Sequence, residues 1–475
     1  MRGKRQRILL VFLVMLLILP GCNIIGDNKD PLTPSKPVTV TVWHYYSGHI
    51  KDKFDVKVSE FNETIGIERG IVVDAQSLGD VQQLADAVFD AANKNIGSQP
   101  LPDIFMAYPE NAFRIQRVTE LVNLDELFSK DGLERYRAEF LEEGRFGKDQ
   151  KLRILPIAKS SEILYINKTF WDLFSKKTGA DVQTLSTWEG LAEVAKKYYE
   201  HTGKAFLGID SNANYMLLSA MQLGNEMYTF KDDSVRLNFP VVVARNIWNY
   251  YYVPYIKGYF KKNGRFSSDD AKTGSVIAYT GSTAGAGYFP MEVTVHQGEV
   301  YPIEPMTLTY PYFGSGKSYA FQQGAGMCVA KSDKAHEYAS GVFLKWFTEP
   351  KQNIEFAVSS GYLPVMNESL DKERLYEEIK KSGTSGAITN MIETTLQMLE
   401  TRRLYYDKPF KGSYEMRLLL DSHLYNKISR DLELLDKRVA SGEKREKVIE
   451  SFVSESQFER WYQQITKEAS LILVD

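Results

Sequence analysis

Read for side chains able to do chemistry, the chain offers several partial constellations and no complete catalytic one. Carboxylates are plentiful, 61 Asp and Glu against 58 Lys and Arg, so an acid/base pair such as Glu110 with Asp210 can be nominated for glycoside hydrolysis, but no local signature singles it out. There is no Gly-x-Ser-x-Gly nucleophile elbow and no His-Glu-x-x-His zinc motif. Gly314-Ser315-Gly316-Lys317-Ser318 ends as a nucleotide phosphate loop ends, but that loop needs a glycine where Pro311 stands. His44 and His49 could begin a metal site, yet no third ligand follows at a matching spacing, and His201, His296, His336 and His423 are scattered. The run from Gly281 to Gly287, with three glycines among its seven residues, could cradle an anion on backbone amides or form a flexible turn over a cleft. These residues carry no distinguishing enzyme signature, and neither a cofactor nor a metal is expected.

The elements that must position such groups read as alternating strands and helices. Val38, Val40 and Val42 alternate with Thr39 and Thr41, predicting a strand that ends at Trp43 and runs into the polar, aromatic loop His44-Tyr45-Tyr46-Ser47-Gly48. A helix over about Lys51–Asn62, a short strand Ile71-Val72-Val73, a helix over about Val81–Asn93 and a strand within Pro102–Ala107 follow. This order predicts an α/β layer with a largely parallel sheet. Ligands of such sheets gather outside the carboxyl ends of the strands, which makes His44–Ser47, Ser77 and Tyr108–Asn111 one wall of a site. Thr187 is placed to cap a helix reaching about Tyr199. Ala335, Tyr338, Ala339, Val342, Phe343, Trp346 and Phe347 form the apolar stripe of a core helix that Glu349-Pro350 ends.

At 475 residues the chain is too long for one small domain. Its 43% apolar and 25% charged content is that of a globular protein. A net charge of −3 argues against a nucleic-acid surface. Two cysteines exclude a disulfide framework. Arg2, Lys4, Arg5 and Arg7 precede an apolar run, Ile8–Leu19, too short to span a bilayer. Leu19-Pro20-Gly21-Cys22 resembles the bacterial lipobox, so residues 1–21 are expected to be a lipoprotein signal peptide and Cys22 the lipidated first residue of the mature chain. Residues 22–36 read as a tether, with the folded body starting near Pro37. Cys328, in an apolar run, is expected to be a buried small hydrophobe.

The lipobox, the strand ending at Trp43, Pro102-Asp103-Ile104, Leu155-Pro156-Ile157-Ala158 with Leu164-Tyr165-Ile166-Asn167-Lys168, Thr187-Trp188-Glu189, the helix Ala335–Phe347 and Ser360-Gly361-Tyr362-Leu363-Pro364-Val365 stand in one order. That order resembles the family 1 extracellular solute-binding proteins, the lipoprotein substrate-binding components of ABC importers, of the maltodextrin-binding type. The resemblance implies an α/β, two-lobed type II periplasmic-binding fold, with mixed, mainly parallel sheets flanked by helices and a hinge crossed three times, near 157–161, 323–326 and 364–367. The first lobe would combine residues 37–158 with 326–364, and the second 162–322 with 368–475. The charged tail beyond Asp407, with a last helix over about Glu446–Gln464, would wrap the second lobe.

It also implies a function: capture of a carbohydrate, an oligosaccharide by preference, between the lobes and its delivery to the transmembrane subunits of an ABC permease. A sugar phosphate, a polyamine or another small polar solute stays open as ligand. The protein would be a monomer on the extracellular face of the bacterial cell membrane, attached through its N-terminal lipid only. Matching positions name Tyr45, Tyr46, Ser47, Tyr108, Glu110 and Ser160 on one side. On the other they name Asn212, Asn214, Ser282, Thr283 and Tyr414. Thr283 stands where sugar binders of this type often carry a tryptophan.

Overall fold

A computed structural model describes residues 31–231, 234–294, 298–384 and 386–474. The expected signal peptide, Cys22 and most of the expected tether lie outside the described residues. Leu32 is already buried in the first core, and Gly70, at φ +70°, packs against the Thr33 carbonyl. The packed body therefore begins before Pro37, and the last part of the expected tether belongs to it.

Strands β1 (Val38–His44), β2 (Ile71–Ser77), β3 (Ile104–Ala107), β4 (Glu162–Asn167), β5 (Leu207–Ile209), β6 (Ala278–Ser282), β7 (Pro305–Thr309) and β8 (Gly326–Val329) form two four-stranded sheets. The first has the order β8-β3-β1-β2, with β1 parallel to both neighbours and β8 antiparallel. The Asp103 carboxylate accepts from the Thr41 amide and hydroxyl, both at 2.8 Å, and fixes where β3 enters the sheet. The second has the order β7-β4-β6-β5. Here β6 pairs parallel with β5, but β4 runs antiparallel to both β6 and β7, so the parallel bias is confined to the first sheet. Every residue of β4 is buried, as a strand covered on both faces requires.

The helices that matter for the site are α1 (Gly48–Phe61), α2 (Val81–Ala92), α3 (Pro109–Gln116), α4 (Asn212–Gln222), α5 (Lys334–Thr348) and α6 (Pro350–Ser360), followed by α7 (Ser413–Ala440), α8 (Arg445–Phe452) and α9 (Glu455–Val474). Helix α2 is locked by a reciprocal capping box between Asp80 and Gln83. The expected Thr187 cap is present, its hydroxyl accepting from the Gly190 amide at 3.2 Å. Helix α5 follows the predicted stripe, burying Ala339, Phe343 and Phe347. The single helix expected over Glu446–Gln464 is two, because the chain restarts at Ser454, whose carbonyl accepts from the Gln457 and Phe458 amides. From α9, Phe458 and Trp461 insert against Trp248, joining the tail to the second core.

Three chain segments lie side by side between the two sheets. Lys159 and Leu363 exchange backbone hydrogen bonds of 3.0 and 2.7 Å, and Ser160 and Gln323 exchange two of 2.9 and 2.8 Å. Gly324, at φ +92°, lets the strands close up, since a Cβ there would stand 2.6 Å from the Ala158 carbonyl oxygen. The buried Lys159 ammonium donates to Glu143 and, at 2.7 Å, to the Gly324 carbonyl. Gln322 donates to the same Glu143 carboxylate, so both charges have partners inside.

Candidate ligand-binding cleft

A cleft of about 1350 Å³ opens between the two sheets. Its first wall is built where β1, β2 and β3 end: Tyr45 and Ser47 after β1, Ser77 at the end of β2 with the start of α2 beyond it, Tyr108 and Glu110 after β3. Tyr45 and Tyr108 lie with ring centroids 6.4 Å apart and planes 13° from parallel. Burial pushes both phenols far up, so both remain neutral hydroxyls. The second wall takes Ser160 and Glu162 from the entry to β4, Asp210 and Asn212 from between β5 and α4, and Gly281 and Ser282 from the end of β6. Gly281 is glycine for space, as a Cβ would meet the Asp210 carboxylate at 2.9 Å. Arg417, Asp421 and Tyr425 of α7 complete this wall.

The charged groups face one another. Arg265 reaches Asp80 at 2.9 Å across the mouth. Arg417, on the second wall, stands 3.7 Å from Glu110 on the first. Burial raises the Glu110 pKa against the opposing pull of Arg417. Burial works against the charge of Arg417 too, but Glu110, Asp421 and Asp407 outweigh it and keep the guanidinium protonated. Burial also lifts Glu162 and Asp407, each to about 7, and raises Asp210.

Of the sequence-derived site residues, Tyr45, Ser47, Tyr108, Glu110, Ser160, Asn212 and Ser282 line the cleft. Four do not. Tyr46 turns into the first core among Phe54, Phe356 and Tyr362, because successive residues of an extended segment point to opposite sides. Asn214 is fully buried in the first turn of α4, bridging Glu162 and Arg417. Thr283 is fully buried, its hydroxyl accepting from the Ser161 amide at 3.2 Å, so the slot expected to face the ligand is a packing position. Tyr414 sits outside the cleft on Arg114, 4.4 Å from ring centroid to guanidinium.

Sequence reasoning missed Glu162, Arg265, Arg417, Tyr279 and Tyr362, all of which line the cleft. For Glu162 and Tyr362 the signal was adjacency, since Glu162 follows Ser160 by two, on the same side of an extended strand, and Tyr362 lies in the quoted Ser360–Val365 block; Arg265 and Arg417 carried none.

The partial constellations resolve into structure. The Gly314 amide donates to the Glu189 carboxylate at 3.1 Å, so the phosphate-loop look-alike binds its own side chain. The His44 Nδ1 accepts from the Tyr46 amide, and burial lowers this histidine to about 4. His49 packs edge-on against Tyr288. The glycine-rich run becomes a short 3-10 turn, Thr283–Tyr288, capped by Ser282. Among the described residues no group of three or more His, Cys, Asp and Glu could hold a metal ion. Cys328 is buried in β8, its thiol pKa pushed up by burial.

Two α/β lobes joined by adjacent strand segments around a wide cleft define a clamp-type binding protein. The profile of the bacterial extracellular solute-binding proteins matches residues 58–382, and the chain belongs to that family. The arabinooligosaccharide-binding protein of Halalkalibacterium halodurans is 23% identical over 210 residues, 43% of this chain and 43% of that protein, so the match spans less than half of the relative's length. The cyclic alpha-maltosyl-1,6-maltose binding protein from Arthrobacter globiformis superposes with a TM-score of 0.64 at 18% identity, covering 91% of this chain and 100% of that one. UgpB from Mycobacterium tuberculosis, solved in complex with glycerophosphocholine, gives 0.64 at 17% identity, covering 92% of this chain and 98% of that one. These likenesses establish the two-lobed fold.

Proposed function

We propose that the protein is the substrate-binding component of an ABC importer that captures an oligosaccharide between its lobes and passes it, chemically unchanged, to the permease. The observation carrying this reading is the cleft lining: parallel tyrosine faces at one wall, hydroxyls, amides and carboxyls at the other, and most of its cations already beside carboxylates. Sugars present apolar ring faces edged with hydroxyls, and aromatic faces with mixed donors and acceptors complement both. Arg265 is paired with Asp80, Arg417 with Glu110 and Lys272 with Asp269, while the Lys262 ammonium donates to the Asp210 carbonyl at 2.6 Å. A phosphate-bearing solute such as that held by UgpB would compete with the carboxylates already beside Arg265, Arg417 and Lys272. The cleft volume of about 1350 Å³ exceeds what one drug-sized molecule fills, which supports more than one sugar ring. The sugars named for the Halalkalibacterium and Arthrobacter proteins point the same way.

In this reading the segments near 157–161, 323–326 and 364–367 are the hinge. The lobes are those expected from the sequence, with the first extended back to Leu32. A lipid on Cys22 holds the monomer to the outer face of the cell membrane. Among the described residues no helix is long and apolar enough to cross a membrane. The test is a thermal-shift screen of the chain lacking residues 1–21 against arabinotriose, maltotriose and glycerophosphocholine. A sugar at a hundred times its Kd adds about 2.7 kcal/mol, and chromatography recovers it intact. Stabilisation by glycerophosphocholine alone, or conversion of a bound sugar to product, overturns the proposal.

A further inference from the structure

Glu162 opens β4 directly after the first of the three side-by-side segments and stands opposite Ser282 in register. Its side chain is buried yet lines the cleft. Oε1 accepts from Asn214 Nδ2 at 3.0 Å and from Gln323 Nε2 at 3.3 Å. Arg417 decides the orientation of the first of these. Its Nη2 donates to Asn214 Oδ1 at 2.7 Å, and because a guanidinium only donates, the Asn214 amide must turn its nitrogen to Glu162. Among the described residues no protein group donates to Oε2. A buried carboxyl fixed through one oxygen and open at the other is half of a hydrogen-bonding site. The Tyr279 hydroxyl, on another buried side chain of the cleft wall, also lacks a partner among the described residues.

We propose that Glu162 is a ligand-binding residue, with Oε1 anchored by protein amides and Oε2 held for a hydroxyl of the ligand. The inference rests on the carbohydrate reading of the same cleft. A carboxyl suits a hydroxyl in either protonation state: ionised, Oε2 accepts from the sugar O–H, and neutral, it donates to the sugar oxygen. Burial and the neighbouring Asp210 favour the neutral form, while Arg417 and the Asn214 and Gln323 amides favour the ionised one. The balance near 7 leaves both forms populated at neutral pH. Tyr310, which also feels the Glu162 charge, is a neutral phenol with its pKa far above 10.

The experiment has two arms. Carbodiimide coupling with glycinamide at pH 6.5, read by peptide mass spectrometry, labels Glu162 in the ligand-free protein and fails to label it under whichever of maltotriose or arabinotriose stabilises the chain. In the second arm Glu162→Gln, which keeps an acceptor for the two amides and supplies a donor to the cleft, holds that sugar within about threefold of wild type. Glu162→Leu weakens it about tenfold or more. No label in the free protein, label unaffected by a bound sugar, or unchanged affinity in Glu162→Leu overturns the proposal. If neither sugar binds the wild type, the carbohydrate reading fails, and labelling of the free protein still decides whether Oε2 is open.

Discussion

Tyr414 donates its phenolic hydrogen to Asp86 Oδ1 at 3.1 Å, joining the start of the long tail helix α7 to helix α2 on the opposite lobe. Arg114, also on the first lobe, completes the contact. Its guanidinium lies 3.6 Å from the Phe89 ring centroid and 4.4 Å from that of Tyr414. A residue expected to stack on ligand is instead part of a clasp between lobes.

Contacts made only when the lobes are closed add to the apparent affinity, because ligand binding need not supply that part of the closing free energy. A hydrogen bond of about 0.5–1.5 kcal/mol and a cation–π contact of about 0.5–1 kcal/mol are at stake. Tyr414→Ala is expected to weaken sugar binding by up to about five- to seventyfold. It is also expected to raise the radius of gyration of the ligand-free protein in small-angle scattering. An unchanged radius together with unchanged affinity would show that the contact does not hold the lobes.

At the cleft mouth the two ends of one ion pair differ in what else they do. Arg265 is exposed and, among the described residues, pairs with the Asp80 carboxylate alone, whereas Asp80 also caps α2, accepting from the Gln82 and Gln83 amides at 2.9 Å. Urea unfolding is expected to show a loss of no more than about 1 kcal/mol for Arg265→Ala. Asp80→Ala should lose more, by about 1 kcal/mol for the cap. Equal losses would contradict this division.

Glu162 gives stability a pH dependence of definite sign. Its folded pKa of about 7 lies above the ordinary 4.5. Its contribution is therefore complete below pH 4.5 and is lost as pH rises through 7. Glu162→Gln removes the titration, so chemical denaturation should find the variant gaining on wild type by on the order of 1–3 kcal/mol between pH 5 and pH 8. A difference constant across that range would refute the assignment. Asp407 shifts in the same direction.

Tyr108 and Thr283, both named from sequence, should part company. Tyr108→Ala is expected to weaken sugar binding while costing at most about 1–2 kcal/mol of stability. Thr283→Trp overfills a fully buried position that bonds the Ser161 amide, and differential scanning calorimetry should show a loss of at least about 1–3 kcal/mol.

The legible part of the molecule was the part written in local pattern. Alternating Val and Thr marked β1, the stripe from Ala335 to Phe347 marked α5, and Thr187 marked a helix start. Each depends on a few consecutive residues and on the 2.0 or 3.6 periodicity of the backbone. The rule that ligands gather at strand ends then found Tyr45, Ser47, Ser77, Tyr108 and Glu110 on one wall. The second wall was less legible. Arg417 reaches the cleft from a helix more than two hundred residues beyond β4, and nothing in its own neighbourhood distinguishes it from other arginines on charged helices. Tyr46 and Thr283 were misplaced by a single step along an extended segment, which turns a side chain from cleft to core.

The sequence by itself determined the strand–helix order and the first wall, because periodicity and strand-end position are local properties, and the two-lobed class followed only through the resemblance of its ordered landmarks to a family. Tertiary structure alone decided which carboxylate meets which cation and which oxygen of Glu162 stays open. It also decided that Tyr414 clasps the lobes, because burial and pairing depend on residues that the chain brings together only by folding.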